Sequence, residues 1–168
     1  MSKELQSAVL SGVAIGVLAT VLTLIPTAGG CLACLAYIGA GVMAVWHFST
    51  TNQINVPAGK GVVLGLMAGV AATVIAIILA DILRSVGWMP GLEETIAQME
   101  EAGSLDAMDE GTRDTVLGLV EKMFGWVGKI VGLLIGSLAG MIGGAIGGAL
   151  FKNKFEEGDA EFGDTAEV

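Results

Sequence analysis

The sequence predicts an all-α fold: a polytopic transmembrane bundle of about four spans, arranged as two hairpins, with a short amphipathic helical insertion between spans three and four. Apolar residues make up 54% of the chain and charged residues only 15%, which is too little charge to cover a surface exposed to water. Glycine accounts for 26 of the 168 residues, about twice the usual ~7%. Three uncharged runs also reach the ~18 apolar residues that a membrane-crossing helix needs.

The chain is predicted to be one membrane domain, 1–168, with spans at residues 8–25, 31–48, 61–80 and 130–151. The first, third and fourth spans contain no charged residue. Pro26 and the glycine pair at 29–30 break the helix after the first span, because proline lacks a helix donor and glycine tolerates turn conformations. Another apolar run follows at once, which predicts a helical hairpin instead of a cleaved signal peptide.

The second span is less apolar than the others and has Trp46 and His47 near its end. Such residues suit the membrane–water interface, where aromatic rings are enriched. The alternative interpretation is a re-entrant or surface-lying segment. The third span resembles the first, since residues 12–19 align with residues 61–68 without a gap. This repeat predicts two parallel hairpins, and it requires that spans one and three have equivalent neighbours.

Residues 81–127 are predicted to be an acidic extramembrane helical insertion. The Met-Pro-Gly sequence at 89–91 ends the third helix, and an amphipathic pattern predicts a short helix over 92–102. Thr112 is a candidate N-cap for a second helix, which can run on into the last span as one long helix. The favoured interpretation is that both short helices bury their apolar faces on the bundle. The alternative is a docking surface for a partner.

The last span carries the most specific pattern, a glycine at every fourth position, and spans one and three have the same spacing. Helices in lipid associate by close packing, which side-chain-free strips allow. Each glycine costs about 1 kcal/mol relative to alanine in a helix, so a long run indicates that packing offsets this cost. The candidate helix-packing residues are Gly12, Gly16, Gly61, Gly65, Gly69, Gly128, Gly132, Gly136, Gly140, Gly144 and Gly148.

Three interpretations of these glycines stay open. They can hold one of the chain's own helices, which is favoured, or form the seam of a homo-oligomer, or line a pore. Two cysteines, Cys31 and Cys34, form the one C-x-x-C sequence and share a helix face. The favoured interpretation treats them as small apolar residues; a disulfide, a redox pair or a metal site shared between subunits is the alternative. His47 is about four turns away along the same helix, too far to join them.

No charged residue lies inside a predicted span, which argues against an ion-coupled transporter. The sequence has no nucleophile–base constellation and no phosphate-binding loop after a strand, so we expect no enzyme, no catalytic residue, no resident metal and no cofactor. The net charge of −9 argues against a nucleic-acid partner. Residues 155–168 are predicted to be an acidic, disordered tail. The expected partners are the lipid bilayer and either a second copy or another membrane protein.

Lys152 and Lys154 directly follow the last span, whereas the first hairpin turn has no basic residue. This distribution predicts that both termini are cytoplasmic.

A family resemblance rests on four features: Leu24-Ile25-Pro26, the Cys31–Cys34 pair, Gly39-Ala40-Gly41, and glycines at 61, 65 and 69. Together they resemble a class of small prokaryotic four-helix membrane proteins, in which a proline-and-cysteine hairpin precedes glycine-rich helices. The resemblance covers about the first half of the chain. It implies a membrane bundle in the cell membrane of a prokaryote and brings no known activity.

Three functional hypotheses follow. The favoured one is a structural or interaction protein that packs through glycine-zipper helices against itself or a membrane complex. The second is an oligomeric channel or pore lined by the last helix. The third is a redox- or metal-responsive protein that uses Cys31 and Cys34.

Overall fold

A computed structural model describes residues 3–25 and 29–152, and within them the chain is helical with no strand. The helices are α1 (Lys3–Thr23), α2 (Gly29–Asn52), α3 (Ala58–Ser85), α4 (Leu92–Glu101), α5 (Glu110–Phe124) and α6 (Trp126–Leu150). The long helices α1, α2, α3 and α6 are apolar enough to cross a membrane. The predicted fold class is therefore confirmed, and the architecture is that of a multi-pass membrane protein. The predicted tail at 155–168 and the turn at Pro26 lie outside the described residues.

The four long helices form a bundle in the order α1, α2, α6, α3 around its axis, with α2 also touching α3 across the centre. Small residues occupy the centre of the bundle. The central cluster consists of the fully buried alanines Ala8, Ala40, Ala44, Ala68 and Ala72. A second buried cluster, where α2 ends and α3 begins, contains the larger side chains Val45, Phe48, Val56 and Leu64. Many other large apolar side chains point outward, as Leu10, Val63 and Leu134 do, with exposures of 56%, 53% and 58%. Small residues at the centre and large ones on the surface suit a protein whose surroundings are lipid, because close approach of the helices then drives association.

Two ion pairs between helices mark the ends of the apolar part of the bundle. At one end Lys60 Nζ of α3 lies 2.7 Å from Glu4 Oε1 of α1, and at the other Lys129 Nζ of α6 lies 2.7 Å from Asp81 Oδ2 of α3. Lys60 and Asp81 are about 21 residues apart on one helix, or ~31 Å at ~1.5 Å per residue. This separation matches the ~30 Å hydrocarbon thickness of a bilayer.

The exposed tryptophans lie at these same two levels. Trp46 is 45% exposed near the Lys60 end, whereas Trp88 and Trp126 are 75% and 81% exposed near the Asp81 end. Indole rings favour the membrane–water interface, where the ring is partly in lipid and its N–H meets water. The ion pairs and the tryptophans therefore lie at the same two levels of the bundle.

The insertion is a helical hairpin, α4–α5, that differs from its prediction in how it packs. The backbone of α4 lies close to that of α5 alone, and the backbone of α5 lies close to those of α4 and α6. The Phe124 ring at the end of α5 also lies 5.1 Å from the Arg84 guanidinium carbon of α3. No residue of either helix is buried, but Leu105, in the turn between them, is only 1% exposed. Apart from Met123 and Phe124 in the last turn of α5, which line a cavity together with residues of α3, the hairpin therefore does not bury an apolar face on the bundle.

Three predicted helix ends in this region are corrected. Helix α3 stops at Ser85, before the Met-Pro-Gly sequence. The N-cap of α5 is Asp109, not Thr112, and its carboxylate accepts hydrogen bonds from the Thr112 backbone N–H and hydroxyl at 3.1 and 2.7 Å. The single long helix does not form, because Gly125 adopts an extended conformation (φ −85°, ψ −161°) that separates α5 from α6.

The Asp109 cap gives α5 a pH dependence. Hydrogen bonds from the Thr112 hydroxyl, and then from its backbone N–H, hold the pKa of Asp109 below its ordinary value. A carboxyl whose pKa is lowered by folding stabilises the helix above its unfolded-state pKa, and this contribution is lost as the pH falls through the folded-state pKa. We expect the Thr112 amide resonance to shift with that titration in the wild-type protein, and the shift to vanish in Asp109→Ala. A Thr112 resonance that titrates equally in both proteins would contradict the cap.

Candidate functional site

Every buried residue of α6 is a glycine, namely Gly136, Gly140, Gly143, Gly144, Gly147 and Gly148. They form two rows on adjacent faces of the helix. The first glycine row (Gly136, Gly140, Gly144, Gly148) faces α3, and the second glycine row (Gly143, Gly147) faces α2. Helix α6 therefore lies in the cleft between α2 and α3, with one row for each neighbour.

The first glycine row brings two backbones into direct contact. A methyl group at Gly140 would meet the Gly65 carbonyl oxygen and lie 2.8 Å from Gly69 Cα, and one at Gly144 would meet the Gly61 carbonyl and lie 2.8 Å from Gly65 Cα. The atoms in the way belong to the opposite backbone and not to flexible side chains. Backbones that approach this closely allow Cα–H···O=C contacts between the helices, which are worth ~0.5–1 kcal/mol each.

Both ends of the first row meet larger groups on α3. Gly148 leaves room for the start of α3, since a methyl group added there would lie 2.7 Å from Ala58 Cα. Gly136 instead faces the Thr73 hydroxyl oxygen. That hydroxyl donates to the Gly69 carbonyl in its own helix at 2.9 Å, so the contact leaves no polar hydrogen without an acceptor in the bilayer.

Helix α2 contributes a glycine that was not among the predicted packing residues. A methyl group at Gly41 would meet the Gly140 carbonyl and would lie 2.5 Å from Gly144 N and 2.9 Å from Gly143 C. Opposite it, Gly143 faces the Ile38 carbonyl, and Gly147 would place a methyl group 2.9 Å from Val45 Cβ. Glycines 143 and 147 follow the predicted residues 140 and 144 by three positions, so they form a second row with the same spacing that is not part of the predicted one.

Helix α1 packs on α3 through the predicted residues Gly12 and Gly16. A methyl group at Gly12 would lie 2.6 Å from Ala71 Cβ, and one at Gly16 would lie 2.6 Å from the Ala72 carbonyl. In the predicted repeat Gly12 corresponds to Gly61, yet Gly61 faces α6 whereas Gly12 faces α3 and not α2. The similar glycine spacing of the two helices therefore serves different contacts.

Two predicted packing residues contact no other spanning helix. Gly128 lies at the break between α5 and α6, where a methyl group would meet the Met123 carbonyl of the preceding turn. Gly132 has open space, with nothing within 4 Å of a methyl group placed there. The first glycine row therefore ends at Gly136, and beyond it α6 no longer touches α3 through glycine.

The two cysteines do not belong to a cluster of metal-ligating side chains within the described residues. Cys31 and Cys34 are exposed thiols at the start of α2. His47 lies near the other end of α2, where its Nδ1 is 3.0 Å from the Ser7 hydroxyl. In residues 3–25 and 29–152 no group of three His, Cys, Asp or Glu side chains lies close enough to hold a metal ion.

No protein-family model, curated protein or solved structure matches this chain. The resemblance noted for its first half stays a prediction.

Proposed function

We propose that this chain is a non-enzymatic membrane protein of structural or interaction type, whose spans associate as a glycine zipper and whose α4–α5 hairpin stands outside the bilayer. The observation that carries the proposal is the seating of α6. Its two glycine rows hold it against α2 and α3 at backbone contact distance. Such a bundle is a rigid support, because backbone contacts have no side-chain rotamers through which to relax.

The position of the glycines favours packing within one chain over a glycine seam between copies. Both rows of α6 are already covered by α2 and α3. The outward face of α6 is instead a ridge of exposed large side chains, with 45–66% exposure: Ile130, Leu134, Leu138, Ile142, Ile146 and Leu150. A membrane-protein partner would therefore meet this ridge or the hairpin, and not the glycines.

Among the described residues, the α4–α5 hairpin is the longest segment outside the spans. Arg113 of α5 pairs with Glu100 of α4 at 2.8 Å and ties the two helices together. Acidic residues outnumber basic ones along both helices, so the hairpin favours a partner with a basic surface and disfavours nucleic acid. In this proposal both termini lie in the cytoplasm of a prokaryotic cell, which a reporter enzyme fused after Val168 tests.

The alternative, an oligomeric channel lined by the last helix, would need the glycine face of α6 to be turned toward a pore. Conductance separates the two functions. We expect the purified protein to give no conductance above background in planar bilayers, and native mass spectrometry in mild detergent to show a 17.1 kDa chain or its complex with a different protein. Discrete channel openings together with a homo-oligomer would contradict the structural function and favour the channel.

A further inference from the structure

A cavity of about 330 Å³ lies inside the bundle beside the Asp81 end. It begins where the first glycine row ends: Gly136 and Gly132 both line it. Thr73, at its deepest part, is about eight residues from Asp81 along α3, which corresponds to ~12 Å of depth into the bilayer. Past Thr73 the cavity is closed, because α3 and α6 meet there at backbone contact distance. The cavity is therefore a dead-ended space and not a pore.

The cavity has mostly apolar walls and a charged mouth. Alanine and isoleucine side chains, such as Ala76, Ile77 and Ile135, form much of the walls, and Thr20, Thr23, Tyr37 and Thr73 also line it. The three threonine hydroxyls donate to carbonyl oxygens of their own helices. Arg84, Lys129 and Asp81 lie at the mouth. A space that is mostly apolar inside and charged at one end suits an amphiphile, with its chain inside and its headgroup at the interface. The volume lies at the small end of the ~300–1,000 Å³ range of ligand pockets, which suits a single chain.

The mouth carries one more positive than negative charge. Asp81 alone pairs with both cations, at 2.7 Å to Lys129 Nζ and at a longer 3.4 Å to Arg84 Nη1. The guanidinium of Arg84 beside a second cation suits a carboxylate or phosphate, which accepts two parallel hydrogen bonds from arginine.

The cavity lies between α1 and α6, which are diagonally opposite in the bundle. Both helices line it, and among the described residues no Cα of α1 lies within 8 Å of a Cα of α6. Helix α5 covers the mouth: Met123 and Phe124 line the cavity there, and the Phe124 ring lies 5.1 Å from the Arg84 guanidinium carbon. A ligand would enter at this charged mouth and bring its headgroup under α5.

From this arrangement we propose that the cavity binds a single-chain anionic amphiphile, with its carboxylate or phosphate on Arg84 and Lys129 and its hydrocarbon chain toward Thr73. The same headgroup chemistry occurs in fatty acids and in alkyl phosphates. Binding of this kind is independent of the structural function, since the glycine rows remain covered whether or not the cavity is filled.

The test uses the full chain in lipid nanodiscs and a photoactivatable fatty acid with a diazirine in its chain. We expect the label on cavity residues of α3 and α6, and competition by decanoate and by decyl phosphate but not by decanol. The stronger competitor of the two anions identifies the headgroup. Competition by inorganic phosphate alone, or equal competition by decanol, would overturn the proposal.

Two variants locate the binding. Gly132→Leu fills the cavity without a clash, since nothing lies within 4 Å of a methyl group there, and we expect cavity labelling to fall to background. Gly39→Leu is the matched control, because Gly39 also has open space but does not line the cavity, and labelling should stay at the wild-type level. Arg84→Gln should weaken decanoate competition about tenfold, by the loss of a charged hydrogen bond. Both glycine variants should keep the wild-type melting temperature. Unchanged labelling in folded Gly132→Leu would overturn the proposal.

Discussion

Replacing Gly140 with leucine will separate α6 from α3 and destroy the folded bundle. Its side chain would enter the backbone of the opposite helix, at the Gly65 carbonyl and 2.8 Å from Gly69 Cα. Overpacking an ordinary core costs about 1–3 kcal/mol, because side chains move to make room. Here no side chain can move, so we expect a loss on the order of 5 kcal/mol or more, comparable to the whole stability of a typical protein.

Gly132→Leu is the control for Gly140→Leu. It places the same substitution on the same helix, two turns earlier, where a methyl group meets nothing within 4 Å. Unfolding in mixed micelles, with increasing sodium dodecyl sulfate, measures both variants against the wild-type protein. We expect Gly132→Leu to unfold near the wild-type midpoint and Gly140→Leu to be unfolded before denaturant is added. Equal midpoints for both variants would show that α6 does not pack through the first glycine row.

The second large effect concerns two glycines on α2 that are two residues apart. Gly41→Ala adds a methyl group 2.5 Å from Gly144 N and 2.9 Å from Gly143 C, against the α6 backbone. Gly39→Ala adds the same methyl group where nothing lies within 4 Å. We expect Gly41→Ala to lower the free energy of unfolding by about 3 kcal/mol. Gly39→Ala should leave it unchanged or raise it by up to ~1 kcal/mol, since alanine favours the helix.

The same micelle titration measures this pair, and circular dichroism gives the helix content of each variant. The two substitutions are expected to change the free energy of unfolding in opposite directions. Their difference reports the contact with α6, because hydrophobicity and helix propensity change equally at both positions. Similar losses at Gly39 and Gly41 would indicate that α2 does not meet α6 at Gly41.

The membrane architecture could be predicted because its signal is local. A charge-free run of about twenty residues identifies a span whatever its neighbours are, and α1, α3 and α6 each contain one. The ends of the helices in the insertion were harder to predict, because they depend on which side chain caps the helix. Asp109 and Thr112 are both residues that cap helices, and only the structure shows that Asp109 does so. The apolar spacing continues across Gly125, so the pattern alone concealed the break between α5 and α6.

The partners of the glycines could not be predicted, because they depend on how helices cross. Spacing identifies Gly132 and Gly140 as equivalent. In the structure, however, Gly136 faces the Thr73 side chain, and Gly132, one turn before it, meets open space. Spacing also gives Gly12 and Gly61 the same role, although they face different helices. Gly41 was missed for a related reason: a single glycine becomes a packing site only when another helix presents its backbone there.

Solid-state NMR of the protein in lipid bilayers, labelled with ¹³C at glycine Cα only, tests the backbone contact most directly. We expect cross peaks between the glycines of α3 and those of α6, with Gly65 coupled to Gly140 and to Gly144. When labelled protein is diluted with unlabelled protein, the intensity per labelled chain should not change, because the contacts lie within one chain. Cross peaks that are missing, or that fade on dilution, would contradict a bundle held together by its own glycine rows.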